Sequence, residues 1–132
     1  MTGRNVCVTP AGPENSPRPE DSGHPAEGGL ARARHVFLSG NALPERWRGR
    51  EAFTILETGF GSGLNFLAAW EALRADSRAP ARLHYGGVEP HPFLAGDLAT
   101  ALAPYAELRE LATALRAVWP PPIAGFHRLQ FD

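Results

Sequence analysis

The 132-residue sequence contains no lysine, a single cysteine and no long apolar run. Because Cys7 has no second cysteine to pair with, an internal disulfide framework is excluded. No stretch approaches the roughly 18 apolar residues that a membrane-spanning helix needs. The formal net charge of −1 gives no overall basic field that would attract nucleic acid. We therefore expect no membrane partner and, because no apolar signal core opens the sequence, a cytoplasmic location.

The five histidines show no metal-binding pattern. No two of them have the close spacing of zinc ligands, and no cysteine cluster supplements them. We therefore predict no metal site at His24, His35, His84, His91 or His127.

Glycine and proline are abundant, with 14 and 13 copies, and they are concentrated toward the start of the chain. Residues 1–29 mix them with Ser, Asn, Asp and Glu, without a helical or alternating apolar pattern. Such a composition buries too little surface to offset chain entropy, so we expect residues 1–29 to form a disordered tail. The alternative is an extended arm that docks on a partner. Residues 30–132 would then form the folded part.

From residue 30 onward, segments typical of strands alternate with segments typical of helices. Such an order predicts an α/β protein with a parallel sheet covered by helices. The expected elements are a short strand at 34–38, a helical turn at 43–47, strands at 52–58, 82–89 and 125–132, and helices at 64–75, 92–103 and 105–119.

A glycine-rich loop separates the strongest strand from the strongest helix. Gly59, Gly61 and Gly63 would let the backbone turn sharply and approach a ligand closely, beside the N–H groups that open the helix. A dinucleotide fingerprint would need its last glycine at position 64 or 66, where Leu64 and Phe66 stand. The Lys-Ser/Thr of a phosphate-binding P-loop is also absent.

Two glutamates stand at the carboxyl ends of neighbouring predicted strands. Ligands of open α/β sheets bind at these ends, so Glu57 and Glu89 are candidate binding residues. A carboxylate at Glu89 can accept hydrogen bonds from two ribose hydroxyls. The acidic-x-G-x-G-x-G pattern that Glu57 begins is typical of S-adenosylmethionine (SAM) methyltransferases, in which the acidic residue lies near the cofactor's amino group.

Longer stretches resemble one methyltransferase family. They are R-H-V-F-L-S-G-N-A-L-P-E-R-W at 34–47 and I-L-E-T-G-F-G-S-G-L-N-F-L at 55–67, followed by Leu83-His84, Val88-Glu89 and G-F-H-R-L at 125–129. Together they resemble the methyltransferase domain of the bifunctional tRNA 5-methylaminomethyl-2-thiouridine biosynthesis (MnmC) family. The resemblance covers residues 30–132.

The resemblance implies a Rossmann-like class I SAM-dependent fold. It also implies methylation of the aminomethyl group on the wobble uridine of tRNA, with SAM as cofactor and tRNA as partner. Carried over by position, the cofactor-binding residues are Glu57, Gly59, Gly61 and Gly63 at SAM, Glu89 at the ribose, and Asn41 and Arg34 closing the pocket. The resemblance assigns no catalytic residue within this sequence.

The sequence departs from the family pattern at three places. Residues 21–28 are unlike the aromatic-rich segment of the family, and Glu89 is followed by Pro90 where the family commonly has lysine. The sequence also stops at Asp132, ahead of the family's acidic adenine-contacting and substrate-amine residues and of its FAD-dependent oxidase domain. We therefore expect a domain truncated after about three strands. It would be a gene fragment, a shortened gene model, or one half of a split protein whose missing strands or oxidase domain a separate chain supplies.

Two other functions stay open from the residues alone. A non-catalytic remnant or interaction module would keep a partial SAM-binding fold, and a nicotinamide-dependent oxidoreductase would use a similar strand–helix–strand unit. For tRNA contact, Arg46, Arg48 and Arg50 form a local basic run. An ordinary solvated turn explains the same run equally well.

Overall fold

The computed structural model describes residues 4–9 and 26–132. These residues form an α/β structure. Its strands are β1 (Arg4–Thr9), β2 (Ala52–Thr58), β3 (Arg82–Val88) and β4 (His127–Phe131), and its α-helices are α1 (Ala26–Arg32), α2 (Leu64–Ala75), α3 (Ala95–Leu102) and α4 (Arg109–Ala117). A π-helix at Ala33–Leu38 and 3₁₀ helices at Ser39–Asn41, Glu45–Trp47 and Ala106–Leu108 complete the described elements. No helix in this part of the chain is long and apolar enough to cross a membrane.

The four strands form one sheet in the order β2-β3-β1-β4. Strand β3 is parallel to both β2 and β1, whereas β4 runs antiparallel to β1. The expectation of an entirely parallel sheet is therefore wrong for β4. Because β1 lies between β3 and β4, the helices after β3 do not connect neighbouring strands. The handedness rule for crossovers between parallel strands therefore does not fix the direction of β4.

Strand β1 lies within the segment that the sequence predicts to be a tail. Arg4–Thr9 pairs with two strands, and α1 begins at Ala26, before the expected boundary at residue 30. The valines of the N-V-C-V-T stretch favour a strand. The expectation of a tail rested on the prolines and glycines, most of which fall at 10–25, outside the described residues.

The prediction of a short strand at 34–38 is wrong. The chain instead continues from α1 into the π-helix Ala33–Leu38. Leu30, Ala33 and Leu38 are all buried, and their spacing places them on one side of this helical segment. Packing of that side against the core therefore outweighs the strand preference of the H-V-F-L residues.

The other elements follow the sequence-based predictions closely. Strand β2 and helix α2 have the predicted bounds, and the helical turn is the 3₁₀ helix Glu45–Trp47. Strand β3 ends one residue early, while α3, α4 and β4 are shorter than predicted. These predictions succeed because alternation, helical periodicity and the glycine and proline stops are all local signals.

Helix α2 packs across one face of the sheet through aromatic contacts. The Phe66 ring lies 5.1 Å from the Tyr85 ring on β3, and the Trp70 ring lies 4.7 Å from Phe131 on β4. Strand β2 presents Ile55 to this face, whereas Leu56 on the opposite face is 74% exposed. The covered face therefore holds the core beneath α2.

The end of α2 is anchored by a hydrogen-bonded carboxylate. Asp76, which follows the helix, accepts a 2.8 Å bond from Arg48 Nε and a 3.0 Å bond from the indole of the fully buried Trp47. The bond from Arg48, followed by that from Trp47, lowers the pKa of Asp76 to about 2. These bonds hold the segment before β2 against the end of α2.

Candidate cofactor site

The chain leaves β2 through the predicted glycine loop. Gly59, Gly61 and Gly63 have φ values of +80°, +56° and +78°, a left-handed region that residues with a side chain rarely occupy. The N–H of Gly59 donates a 2.8 Å hydrogen bond to the carbonyl of Val88 at the end of β3. The loop is therefore anchored to the neighbouring strand as soon as it leaves its own.

The Phe60 side chain anchors the loop by packing against strand β3. Its buried ring lies against Gly87 so closely that a Cβ at Gly87 would clash with it. The same ring makes an edge contact with Tyr85 and stacks on Trp119, each at a centroid distance of 6.1 Å. Gly87 is thus needed for a close approach between the loop and β3.

A cavity of about 500 Å³ opens beside this loop. It lies where β2 ends and α2 begins, which is where open α/β sheets bind ligands. The walls that concern ligand chemistry are Glu57, Gly59, Gly61 and Asn65 on one side and Arg32 and Asn41 on the other.

Glu57 is the most unusual group in the cavity wall, because its side chain is only 7% exposed. The Tyr85 hydroxyl donates a 2.6 Å hydrogen bond to Glu57 Oε2, and Asn65 Nδ2 donates a 2.6 Å bond to Oε1. Among the described residues, no cation is paired with this carboxylate. The two donors, the Tyr85 hydroxyl and the Asn65 amide, are neutral groups.

Burial raises the pKa of Glu57, and the nearby charge of Glu89 also raises it. The hydrogen bonds from Tyr85 and Asn65 act in the opposite direction, but the pKa stays above its usual value. Burial also raises the pKa of Tyr85 far above its usual range, followed by the charge of Glu57 and the bond to it. Tyr85 is therefore a protonated donor, and Glu57 is an acceptor that a cation would stabilise.

Glu89 is also buried, and it is bonded to backbone on both oxygens. Its Oε2 accepts a 2.7 Å hydrogen bond from the N–H of Gly61, and its Oε1 accepts a 2.8 Å bond from the N–H of His91. Glu89 is not among the residues lining the cavity. Glu89 therefore lies outside the cavity wall, and its hydrogen bond from Gly61 holds the glycine loop in place.

The structure separates the two upstream residues predicted for the pocket. Asn41 lines the cavity, and its Nδ2 donates a 2.7 Å bond to the carbonyl of Phe37. Arg34 lies away from the lining and pairs with Glu71 at 2.7 Å and Glu107 at 2.9 Å. Of the predicted residues, Glu57, Gly59, Gly61 and Asn41 thus meet at the cavity, with Glu89 and Gly63 bordering the loop.

Sequence reasoning missed four residues of this region: Arg32, Phe60, Asn65 and Tyr85. Asn65 is the second residue of α2, so the sequence could have placed it beside the end of β2. Tyr85 follows the burial alternation of β3, which indicates the core face but not the partner. In the described part of the chain, no group of three or more His, Cys, Asp and Glu side chains could hold a metal ion.

Fold and site together define an α/β protein with a glycine loop and a candidate ligand site at the carboxyl ends of two parallel strands. Comparison with models of protein families finds no match for this chain. Individual relatives do match, and they carry the name tRNA 5-methylaminomethyl-2-thiouridine biosynthesis bifunctional protein MnmC.

The chain is 54% identical over 109 residues to the protein of Thiobacillus denitrificans, covering 83% of this chain and 18% of that protein. It is 53% identical over 125 residues to the protein of Ralstonia nicotianae, covering 95% of this chain and 19% of that protein. With the protein of Azoarcus sp. the identity is 55% over 109 residues, with 83% and 17% covered. The chain thus matches part of MnmC and spans about a fifth of the length of these curated relatives.

Proposed function

We propose that residues 30–132 are the N-terminal, cofactor-binding part of a Rossmann-like class I SAM-dependent methyltransferase domain. Its substrate would be the aminomethyl group of the wobble uridine in tRNA. The observation that carries the proposal is the buried Glu57 carboxylate, which has neutral donors and no cation among the described residues and faces the cavity beside the glycine loop. The match to MnmC proteins, which are named for tRNA 5-methylaminomethyl-2-thiouridine biosynthesis, supports the substrate.

The cavity fits the methionine part of SAM in two respects. The ammonium group of that part is a cation, and Glu57 is a buried acceptor that a cation would stabilise. At Gly61, a Cβ would meet no heavy atom within 4 Å, so the backbone faces open space that a ligand can enter. Because Gly61 carries no side chain, a ligand could approach its backbone closely.

The remaining predicted residues have defined places in this proposal. Glu89 does not line the cavity, and each of its oxygens accepts one backbone N–H, so its proposed contact with the ribose hydroxyls would use the remaining acceptor capacity beside the loop. Asn41 forms part of the facing wall. Arg34 closes the pocket indirectly, because its bond to Glu71 ties the π-helix that forms this wall to α2.

Bound SAM would supply an electrophilic methyl group for transfer to the substrate nitrogen. The protein's own contribution is to bind and orient the cofactor. Glu57 would bind the ammonium group, and the loop backbone would hold the adjoining part of the methionine chain. Holding two reactants in a reactive geometry supplies much of the rate of such a transfer.

The same site disfavours a nicotinamide dinucleotide. In dinucleotide-binding proteins, the negatively charged pyrophosphate lies at the glycine loop and the following helix. Here the buried Glu57 carboxylate lines the cavity at that loop, and its donors among the described residues are neutral. Repulsion between like charges is strong where water is excluded, so it would oppose pyrophosphate binding.

Thermal unfolding of the purified chain with and without SAM tests the cofactor. A ligand that binds the folded state raises the melting temperature, by an amount equivalent to about 2.7 kcal/mol at one hundred times its Kd. We expect SAM to raise the melting temperature and NADH to leave it unchanged. A cooperative transition that SAM does not shift would favour a non-catalytic remnant, and a shift with NADH alone would favour an oxidoreductase.

Transfer of a labelled methyl group from SAM into tRNA tests the substrate. In a protein that joins residues 30–132 to the rest of a methyltransferase domain, we expect label in tRNA that carries a 5-aminomethyl-2-thiouridine and none in tRNA whose wobble uridine is unmodified. We also propose that the protein works in the cytoplasm. Label that enters both tRNAs equally would contradict the proposed substrate.

A further inference from the structure

We propose that Tyr85 and Asn65 are positioning residues that hold the Glu57 carboxylate in the orientation that receives the ammonium group of the cofactor. The inference rests on the proposed function, because it assigns a task to the hydrogen bonds around the residue that would bind SAM. Neither residue belongs to the site that the sequence predicts. Both act through Glu57.

Packing of the Tyr85 ring restricts its hydroxyl to one position. Its side chain is 1% exposed, and its ring is enclosed by the rings of Phe37, Phe60 and Phe66 at centroid distances of 6.2, 6.1 and 5.1 Å. The hydroxyl emerges from this aromatic enclosure and donates to Glu57 Oε2 at 2.6 Å. The sheet and α2 therefore fix the position of the donor before any ligand binds.

Asn65 holds the other oxygen from a different element. It stands in the first turn of α2 and donates to Glu57 Oε1 at 2.6 Å. With one donor on each oxygen, the carboxylate cannot rotate without losing a bond. Each oxygen still has acceptor capacity for a further donor from the cavity.

The charges around Glu57 make these neutral donors important. Among the described residues, Glu89 is the negative group that acts on Glu57, and Arg32 is the charged side chain that shares the cavity wall with Glu57. Tyr85, from β3, and Asn65, from α2, are the groups that favour the ionised carboxylate through hydrogen bonds. Removing either bond would raise the pKa of Glu57 further and release its orientation.

The test uses the full chain with Tyr85→Phe and Asn65→Leu. Tyr85→Phe keeps the packed ring and removes the hydroxyl, and Asn65→Leu keeps the approximate size and removes the donor. Tyr105→Phe is the matched control, because it removes the hydroxyl of the other tyrosine, which is half-buried and does not line the cavity. Two readouts are compared: the titration of Glu57 by carboxyl ¹³C NMR, and SAM affinity between pH 5 and 9.

We expect the pKa of Glu57 to rise in Tyr85→Phe and Asn65→Leu and to stay unchanged in Tyr105→Phe. We expect SAM affinity at pH 7 to fall about tenfold in each test variant, since a hydrogen bond to a charged group is lost. Part of this loss should recover as the pH rises, because a higher pH favours the ionised carboxylate. A role in packing alone would not move the Glu57 titration.

The outcomes separate this inference from the proposed function. If wild type binds SAM and both variants keep its affinity and Glu57 titration, the positioning role is wrong while the cofactor proposal stands. If wild type fails to bind SAM, the proposed function is wrong and the cofactor-orienting role is overturned with it. Should Tyr85→Phe fail to fold, Asn65→Leu decides the matter alone, because Asn65 is only half-buried.

Discussion

The Glu89 carboxylate accepts a 2.7 Å hydrogen bond from the backbone N–H of Gly61. This bond joins the carboxyl end of β3 to the glycine loop that follows β2. The sequence predicts both residues as parts of one site, and the structure connects them directly. Glu89 thereby helps to fix the loop backbone at the point where it faces the cavity.

Glu89→Ala should therefore destabilise the fold. The change leaves the N–H groups of Gly61 and His91 without their carboxylate acceptor, so we expect a loss of about 1–3 kcal/mol in the free energy of unfolding. Glu110→Ala is the control, since this carboxylate is 80% exposed and pairs with Arg74 at the surface. Its cost should stay within about 1 kcal/mol. Urea denaturation measures both, and equal effects would contradict the role of Glu89.

Gly61→Val should abolish SAM binding while leaving the chain folded. A valine side chain would extend from the loop into the cavity, and its branched Cβ is strained at a φ of +56°. Gly49→Val is the matched control: its φ is +74°, a Cβ there also meets nothing within 4 Å, and it does not line the cavity.

We expect the two variants to lose similar stability, by about 1–2 kcal/mol for the left-handed backbone. Only Gly61→Val should lose SAM binding, as measured by calorimetric titration. Retained SAM affinity in a folded Gly61→Val protein would show that the ligand does not lie at this loop.

Glu57→Gln should gain stability relative to wild type as the pH rises, and it should weaken SAM binding about tenfold or more. Because the pKa of Glu57 is raised above its unfolded value of 4.5, ionisation of Glu57 opposes folding. The opposition is complete above the folded pKa and vanishes as the pH falls below about 4.5. The stability gain of the variant, measured by urea denaturation from pH 8 to 4.5, should therefore shrink as the pH falls. A gain that is independent of pH would refute this explanation.

Asp76→Asn should destabilise the protein at pH 7. The pKa of Asp76 is lowered from 3.8 to about 2, so its stabilising contribution is fully present above pH 3.8 and is lost as the pH falls through 2. The difference in urea midpoint between wild type and Asp76→Asn should stay constant from pH 7 to 4 and close toward pH 2. Asp132→Asn, at an exposed position, should show no such difference. A gap that persists unchanged at pH 2 would mean that the bonds from Arg48 and Trp47 do not depend on the charge.

The β2–loop–α2 unit could be predicted from the sequence because its signals are local. A seven-residue segment rich in apolar and β-branched residues, three glycines at alternate positions and a helical apolar face fix the bounds of β2 and α2 without reference to the rest of the chain. Three of the four candidate residues of this unit, Glu57, Gly59 and Gly61, consequently line the cavity, whereas Gly63 does not.

Other features depend on contacts between distant segments. The pairing of Arg4–Thr9 with β3 and β4 depends on strands more than 70 residues away in sequence. The π-helix at Ala33–Leu38 reflects burial against the core, which outweighs local strand preference. The bond from Tyr85 to Glu57 requires the register of β2 against β3, which alternation within a single strand does not reveal.

Equilibrium dialysis of the full chain with SAM labelled in its methyl group tests the central claim most directly. The account predicts saturable binding of one SAM per chain, unaffected by excess NADH and lost in Gly61→Val but not in Gly49→Val. Absence of saturable binding by the folded chain, or equal binding by Gly61→Val, would contradict the assignment of the cavity beside Glu57 as a SAM site.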